Sequence, residues 1–208
     1  MQLKKQPCAY CGQAPPEGCT KGHVVSKHLF SKSISGVNQI RVPECKDCKK
    51  IWEDSEPHFR NIMVAIWNPD KVLKDDRYEK MLRSLKKCDG KRRYNELVQA
   101  ILPGSTPKDQ DVIFPARDPH CNLILRRIVR GLVHYHNLGT AIADDLVICD
   151  VMRFQVPEAF KNEFTWHEIS KDFFRYGYAN IKDRGIHSFW LLQFSRHIEF
   201  CGIVSANS

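Results

Sequence analysis

Cys8-Ala9-Tyr10-Cys11 and Cys45-Lys46-Asp47-Cys48 are the two stretches that decide how this chain folds. Each Cys-x-x-Cys spacing sets two thiols on one tight turn, and two such turns supply the four sulfur ligands of a tetrahedral structural zinc site. One pair is a weak signal; two together are a strong one. The chain holds nine cysteines, an odd number that disulfides alone cannot pair off. In a reducing compartment such spacings bind metal more often than they form disulfides. Cys19 falls in the same region, whereas Cys88, Cys121, Cys149 and Cys201 are scattered and read as small buried thiols. The 33 residues between Cys11 and Cys45 exceed what a simple zinc ribbon needs, and His23 lies among them.

Outward from the cysteines, the segment 7–48 is rich in Gly, Pro, Ser and Cys and has no helical period, which suits short strands and turns around a metal. Phe59, Ile62, Met63 and Ile66 then repeat at helical spacing, so a helix is expected from His58 to Trp67, ended by Asn68-Pro69. Tyr78, Met81, Leu82 and Leu85 mark a second helix, running out near Asp89-Gly90. A third spans Tyr94 to Ile101. Pro103, Pro107, Pro115 and Pro119 then mark a linker. Beyond it, Ile124, Ile128, Leu132 and Tyr135 form an apolar helical stripe closed by Gly139. Arg126, Arg130 and His134 lie along another face, with Arg127 beside them, and read as solvated. Four strands are expected at 146–156, 173–181, 188–195 and 198–204. The fold class is therefore α+β. It comprises a zinc-stapled module (1–67), a helical connector (68–102), a Pro-rich linker (103–119), and a C-terminal domain (120–208) with a small antiparallel sheet and one or two helices.

A surplus of 32 Lys and Arg over 24 Asp and Glu, with a formal charge of +8, favours polyanionic partners. No window approaches the length of apolar run that spans a membrane, and Met1-Gln2-Leu3-Lys4-Lys5-Gln6-Pro7 has no apolar stretch of the secretory kind. The expectation is a cytoplasmic protein without a membrane partner.

The residues Cys8-x-x-Cys11, Lys21-Gly22-His23-Val24-Val25-Ser26-Lys27-His28-Leu29-Phe30 and Asn38-x-Ile40-x-Val42-Pro43-x-Cys45-x-x-Cys48 resemble the HNH endonucleases with a ββα-metal active site. The match covers roughly the first sixty residues. The resemblance implies that Cys8, Cys11, Cys45 and Cys48 hold a structural zinc, and that the hairpin histidine faces a separate catalytic divalent ion, magnesium or similar. Carried over position by position, His23 is the general base that activates water for attack on a phosphodiester, a task suited to a group whose pKa lies near neutral. Asn38 braces the hairpin. The implied substrate is DNA.

Two positions depart from the family pattern. Where the family carries an acidic ligand before the histidine, this chain has Gly22; after the last cysteine, where Asn or His is usual, it has Lys49. Glu53, Asp54, Glu56 and His58 are candidate substitutes, with His58 the first choice for the catalytic set. Lys49 and Lys27, and Arg92 and Arg93 within the run Lys86, Lys87, Lys91, Arg92 and Arg93, are candidate phosphate contacts. Phe173, Phe174, Tyr176, Tyr178, Phe189, Trp190 and Phe194 offer stacking surfaces, although strand alternation predicts most of them in a core. Three readings stand at this point: a metal-dependent endonuclease, a binding or protein-interaction module that keeps the scaffold without cleavage, and a zinc scaffold with no nucleic-acid partner. A homodimer is compatible with each.

Overall fold

Thr20–His23 (β1) and Arg41–Glu44 (β2) pair antiparallel, with Thr20 opposite Glu44, Gly22 opposite Val42 and His23 opposite Arg41. These strands come from a computed structural model that describes residues 6–30, 39–66, 76–87, 89–101, 118–152, 156–170, 173–183, 185–195 and 198–206. Asn38, Asn68-Pro69 and all but Pro119 of the linker prolines lie outside the described residues. The chain divides into two compact units: Met1–Val25, Gly36–Lys50 and Leu125–Ser208 form the first, and Ser26–Ser35 with Ile51–Ile124 the second. Sheet and helix are mixed, as the alternating periods predict.

Unit 2 is helical. Helix α1 (Lys46–Trp52) runs into it from unit 1, and Ser55–Ile66 (α2), Asp76–Leu85 (α3) and Gly90–Ile101 (α4) follow. These three pack on one another, with Phe59, Ile62 and Met63 of α2 buried as their spacing requires. Asn61 Nδ2 donates to Ser84 Oγ at 3.0 Å, tying α2 to α3 through a buried polar pair. Gly90 opens α4, so the third helix begins four residues before Tyr94.

Pro119–Tyr135 (α5) starts in unit 2 and enters unit 1. Asp118 caps it, accepting the Cys121 N–H at 2.8 Å, and Pro119 fills the first-turn position where no N–H is needed. The far end differs from expectation. Asn137 adopts φ 55°, its N–H bonds the His134 carbonyl, and the Leu138 N–H bonds the Val133 carbonyl. That is a left-handed cap of the Schellman kind, with Asn in the glycine role. Asn137, not Gly139, closes the helix.

In unit 1, Val147–Val151 (β3), Thr165–Ser170 (β4), Phe174–Asp183 (β5), Ile186–Phe194 (β6) and Ile198–Ser205 (β7) form an antiparallel sheet in the order β3-β7-β6-β5-β4. Edge strand β4 has no counterpart in the sequence reading, because Thr165-Trp166-His167-Glu168 mixes polar and apolar residues without a clean alternation. Tyr176, Trp190, Leu192, Phe194 and Phe200 are buried on the face shared with α5. Helix and sheet meet closely: a Cβ on Gly202 would come within 2.7 Å of Val129. The opposite face carries a smaller core of Val156, Phe164 and Leu191 under the short helix Glu158–Lys161 (α6). The strand aromatics therefore serve mainly as core.

His136, just past α5, shares a 2.9 Å hydrogen bond with the Tyr176 hydroxyl and lies 4.6 Å, ring to ring, from His167. Burial and the neighbouring His167 hold His136 down at about 4, against 6.5 ordinarily. Unfolding therefore takes up a proton between those two pH values, and this contribution to stability, full above pH 6.5, is lost as pH falls toward about 4. Urea unfolding across that range should show a falling free energy whose slope is shallower in His136→Gln; identical slopes would contradict the assignment.

Candidate metal centre

Cys8 and Cys11 sit on the first tight turn, held by the Gly12 N–H on the Cys8 carbonyl at 2.9 Å and the Ala9 N–H on the Pro43 carbonyl at 2.8 Å. Cys45 follows β2 directly and Cys48 lies in the first turn of α1. All four sulfurs lie within 4.8 Å of one another, and Cys11 and Cys45 are 3.8 Å apart. A tetrahedron with Zn–S bonds of about 2.3 Å has edges of about 3.8 Å. Backbone N–H groups also point at sulfur, Cys45 N–H to Cys8 Sγ and Cys48 N–H to Cys45 Sγ, both at 3.4 Å.

The electrostatics ask for a cation. Burial raises the Cys8 thiol, but the N–H groups of Cys45, Cys11 and Tyr10 outweigh it and hold the group below its ordinary value. Cys48 is pushed up by burial and by the crowding of Cys45, Cys8 and Cys11. Thiolates gathered this closely cannot all ionise unless a positive ion offsets them. The residues fit zinc. Cys19 is a buried neighbour of the cluster, its thiol raised to about 11 by burial and by Cys8, Cys45 and Cys11, and it is not one of the four.

Beside the cysteines, two arginines of α5 reach into the module. Arg127 Nη2 donates to Glu44 Oε1 at 3.2 Å and to the His23 carbonyl at 3.0 Å. Arg130 donates to the Tyr10 carbonyl at 2.6 Å, the Ile142 carbonyl at 2.7 Å and Asp144 at 3.2 Å. Both guanidinium groups lie over the Tyr10 ring, 5.8 and 5.7 Å from its centre. These are buried anchors and not a solvated face, which corrects the reading of that helix. Periodicity displayed the stripe and could not display its partners.

Glu44 also explains Gly22. A Cβ at residue 22 would lie 2.5 Å from Glu44 Oε2 and 2.7 Å from Glu44 Cβ. The space beside Gly22 is thus taken by a carboxylate from the opposite strand. That carboxylate is only 2% exposed and is paired with Arg127.

His23 ends β1, half-buried, with its carbonyl held by Arg127. Lys49 is exposed on α1. His58 belongs to unit 2, where its Nε2 lies 2.9 Å from Asp118 Oδ2. Lys27, Arg92 and Arg93 belong to unit 2 as well. Lys27 is exposed, whereas Arg92 pairs with Glu96 and Asp89, and Arg93 with Asp89. Glu53 and Asp54 are exposed, and Glu56 accepts the Ser26 hydroxyl. Among the described residues, two clusters of three or more His, Cys, Asp or Glu are close enough to share a metal: the four cysteines, and His58 with Asp118 and Cys121. His23 belongs to neither. Gly22 carries no side-chain donor, Glu44 is paired with Arg127, and Lys49 is itself cationic.

Comparison with family models, characterised proteins and solved structures returned no match.

If the four cysteines hold a structural zinc, chelation or Cys45→Ser should unfold the cysteine-bearing module, because binding free energy of a structural zinc is folding free energy. A zinc-free variant retaining full circular dichroism and melting temperature would refute this. Gly22→Asp should cost on the order of 1–3 kcal/mol by overpacking against Glu44, with like-charge repulsion added. Denaturant midpoints measure it, and a neutral or stabilised variant would show that Glu44 yields freely.

Proposed function

We propose that unit 1 is a zinc-stapled nucleic-acid-binding module on an HNH-like ββα scaffold, and that it has given up metal-dependent cleavage. The observation that carries this reading is the arrangement at Gly22: a buried Glu44 carboxylate, neutralised by Arg127, fills the position from which the resembling nucleases coordinate their ion. A carboxylate committed to a guanidinium cannot also serve a divalent cation without leaving a buried charge unpaired.

Binding is supported by charge. The hairpin and α1 expose Lys21, Arg41, Lys46, Lys49 and Lys50, and on these segments the exposed acid is Asp47. Ammonium and guanidinium groups of this kind contact phosphate directly and carry no sequence information. The partner proposed is DNA, following the resemblance.

A second reading, a metal-dependent endonuclease with His23 as general base, is favoured by His23 itself, half-buried at the end of β1 on the hairpin that the zinc cysteines flank. One experiment separates the two. Purified protein is mixed with supercoiled plasmid and magnesium, manganese or nickel, alongside His23→Ala and a Lys46→Ala, Lys49→Ala, Lys50→Ala triple variant. The binding reading expects no nicking, salt-dependent retention of DNA, and a salt slope that shrinks by about 1 for each phosphate contact removed in the triple variant. Metal-dependent nicking abolished by His23→Ala would replace it with the nuclease reading.

A further inference from the structure

His58, Asp118 and Cys121 in unit 2 form a second donor cluster, independent of the four cysteines and of the function proposed above. Helix α2 presents the imidazole. Asp118 and Cys121 stand three residues apart at the start of α5, so the carboxylate and the thiol face the same side of its first turn. The three candidate ligand atoms lie within 4.8 Å of one another. His58 is 7% exposed, the Asp118 side chain 13%, and Cys121 fully buried.

The helix cap accounts for only part of this. Asp118 Oδ1 accepts the Cys121 N–H at 2.8 Å, which is the capping bond, while Oδ2 turns the other way to His58 Nε2 at 2.9 Å. Neither bond requires a thiol at residue 121. We infer that this trio is a zinc site. Imidazole nitrogen, carboxylate oxygen and thiolate sulfur are each zinc donors, and a set containing thiolate and imidazole selects zinc-like ions over magnesium or calcium, which take oxygen. Zinc bonds of about 2.0–2.1 Å to nitrogen and oxygen set a tetrahedral N···O edge of about 3.4 Å. The His58–Asp118 contact needs to open by about half an ångström from its present hydrogen bond. Asp118 Oδ1 keeps the cap while Oδ2 coordinates; the proton that His58 Nε2 shares with Oδ2 is lost from that edge, the neutral imidazole carrying its proton on Nδ1, and the Cys121 thiol releases its proton to solvent on binding.

Three protein donors leave one coordination position, the pattern of a site that holds water or a small ligand. His120 lies beside His58, its ring 5.0 Å from that of His58 and its Nδ1 engaged with the Ser55 hydroxyl at 2.9 Å.

The test is metal counting on full-length protein purified with zinc present and passed through a desalting column. The expected result is two zinc ions per chain in the wild type and one in both Asp118→Asn and Cys121→Ala. Asparagine keeps the cap and the contact with His58 but is a poor zinc donor, so Asp118→Asn should fold. A wild type that holds a single zinc overturns the inference, as does a second zinc that persists in both variants. Cobalt(II) exchange gives a readout without mutation. A single-thiolate site should add a sulfur charge-transfer band weaker than that of the cysteine cluster, as one thiolate is to four; saturation with the four-thiolate spectrum alone would also overturn it.

Discussion

The buried pair between Arg127 and Glu44 is the constraint on which the cysteine-bearing half of the chain depends. Two charges, each 3% exposed, are costly to remove from water, and their attraction compensates only when the remaining donors and acceptors are also satisfied. Here the same guanidinium reaches the His23 carbonyl, and Arg130 one turn further on gathers the carbonyls of Tyr10 and Ile142. The arginines thus satisfy backbone groups that a short hairpin and an irregular loop cannot satisfy by themselves. Tyr10, two residues after Cys8, has both guanidinium groups near its ring centre, at 5.8 and 5.7 Å. The first cysteine turn, the hairpin and the helix are coupled through that one ring and those two side chains.

The geometry at Gly22 follows from this coupling. Cross-strand register sets Thr20 opposite Glu44, and the pull of Arg127 folds the Glu44 side chain over the neighbouring glycine. A larger residue at position 22 would compete for the same volume. The missing side chain and the buried ion pair are therefore one feature seen from two strands.

Much of the local structure was legible in the sequence. The paired cysteines sit together because Cys-x-x-Cys turns impose their own geometry, and the apolar spacing of α2 reports a buried face directly; in α3 only Met81 of the expected stripe is buried while Leu82 is exposed, and in α5 Ile124, Ile128 and Leu132 are buried while Tyr135 is exposed. The sheet strands were visible where aromatic and β-branched residues run together, and edge strand β4 was not, because its composition is mixed. What stayed hidden involves partners distant along the chain. Nothing in Arg126-Arg127-Ile128-Val129-Arg130 says that Glu44 and the Tyr10 carbonyl await it, and His58 gives no sign of Asp118 or Cys121 sixty residues on. A helix boundary also misled: the glycine after α5 looks like the stop signal, yet Asn137 reaches the left-handed region first because its side chain tolerates that conformation.

The separation of Glu44 from Arg127 has a consequence for a chain made from its amino end. The cysteine turns and the hairpin leave the ribosome well before the arginines that satisfy them, and the loop to be closed spans 83 residues. A metal held by the four cysteines could be captured early, since Cys8, Cys11, Cys45 and Cys48 all lie within the first 48 residues. Until α5 arrives, however, the Glu44 carboxylate must stay hydrated, which holds β2 and the floor of the hairpin open to water. The contacts within the first 48 residues are local, whereas the lock between Glu44 and Arg127 is long-range. The pace of folding in this half is set by the slower closure of distant contacts.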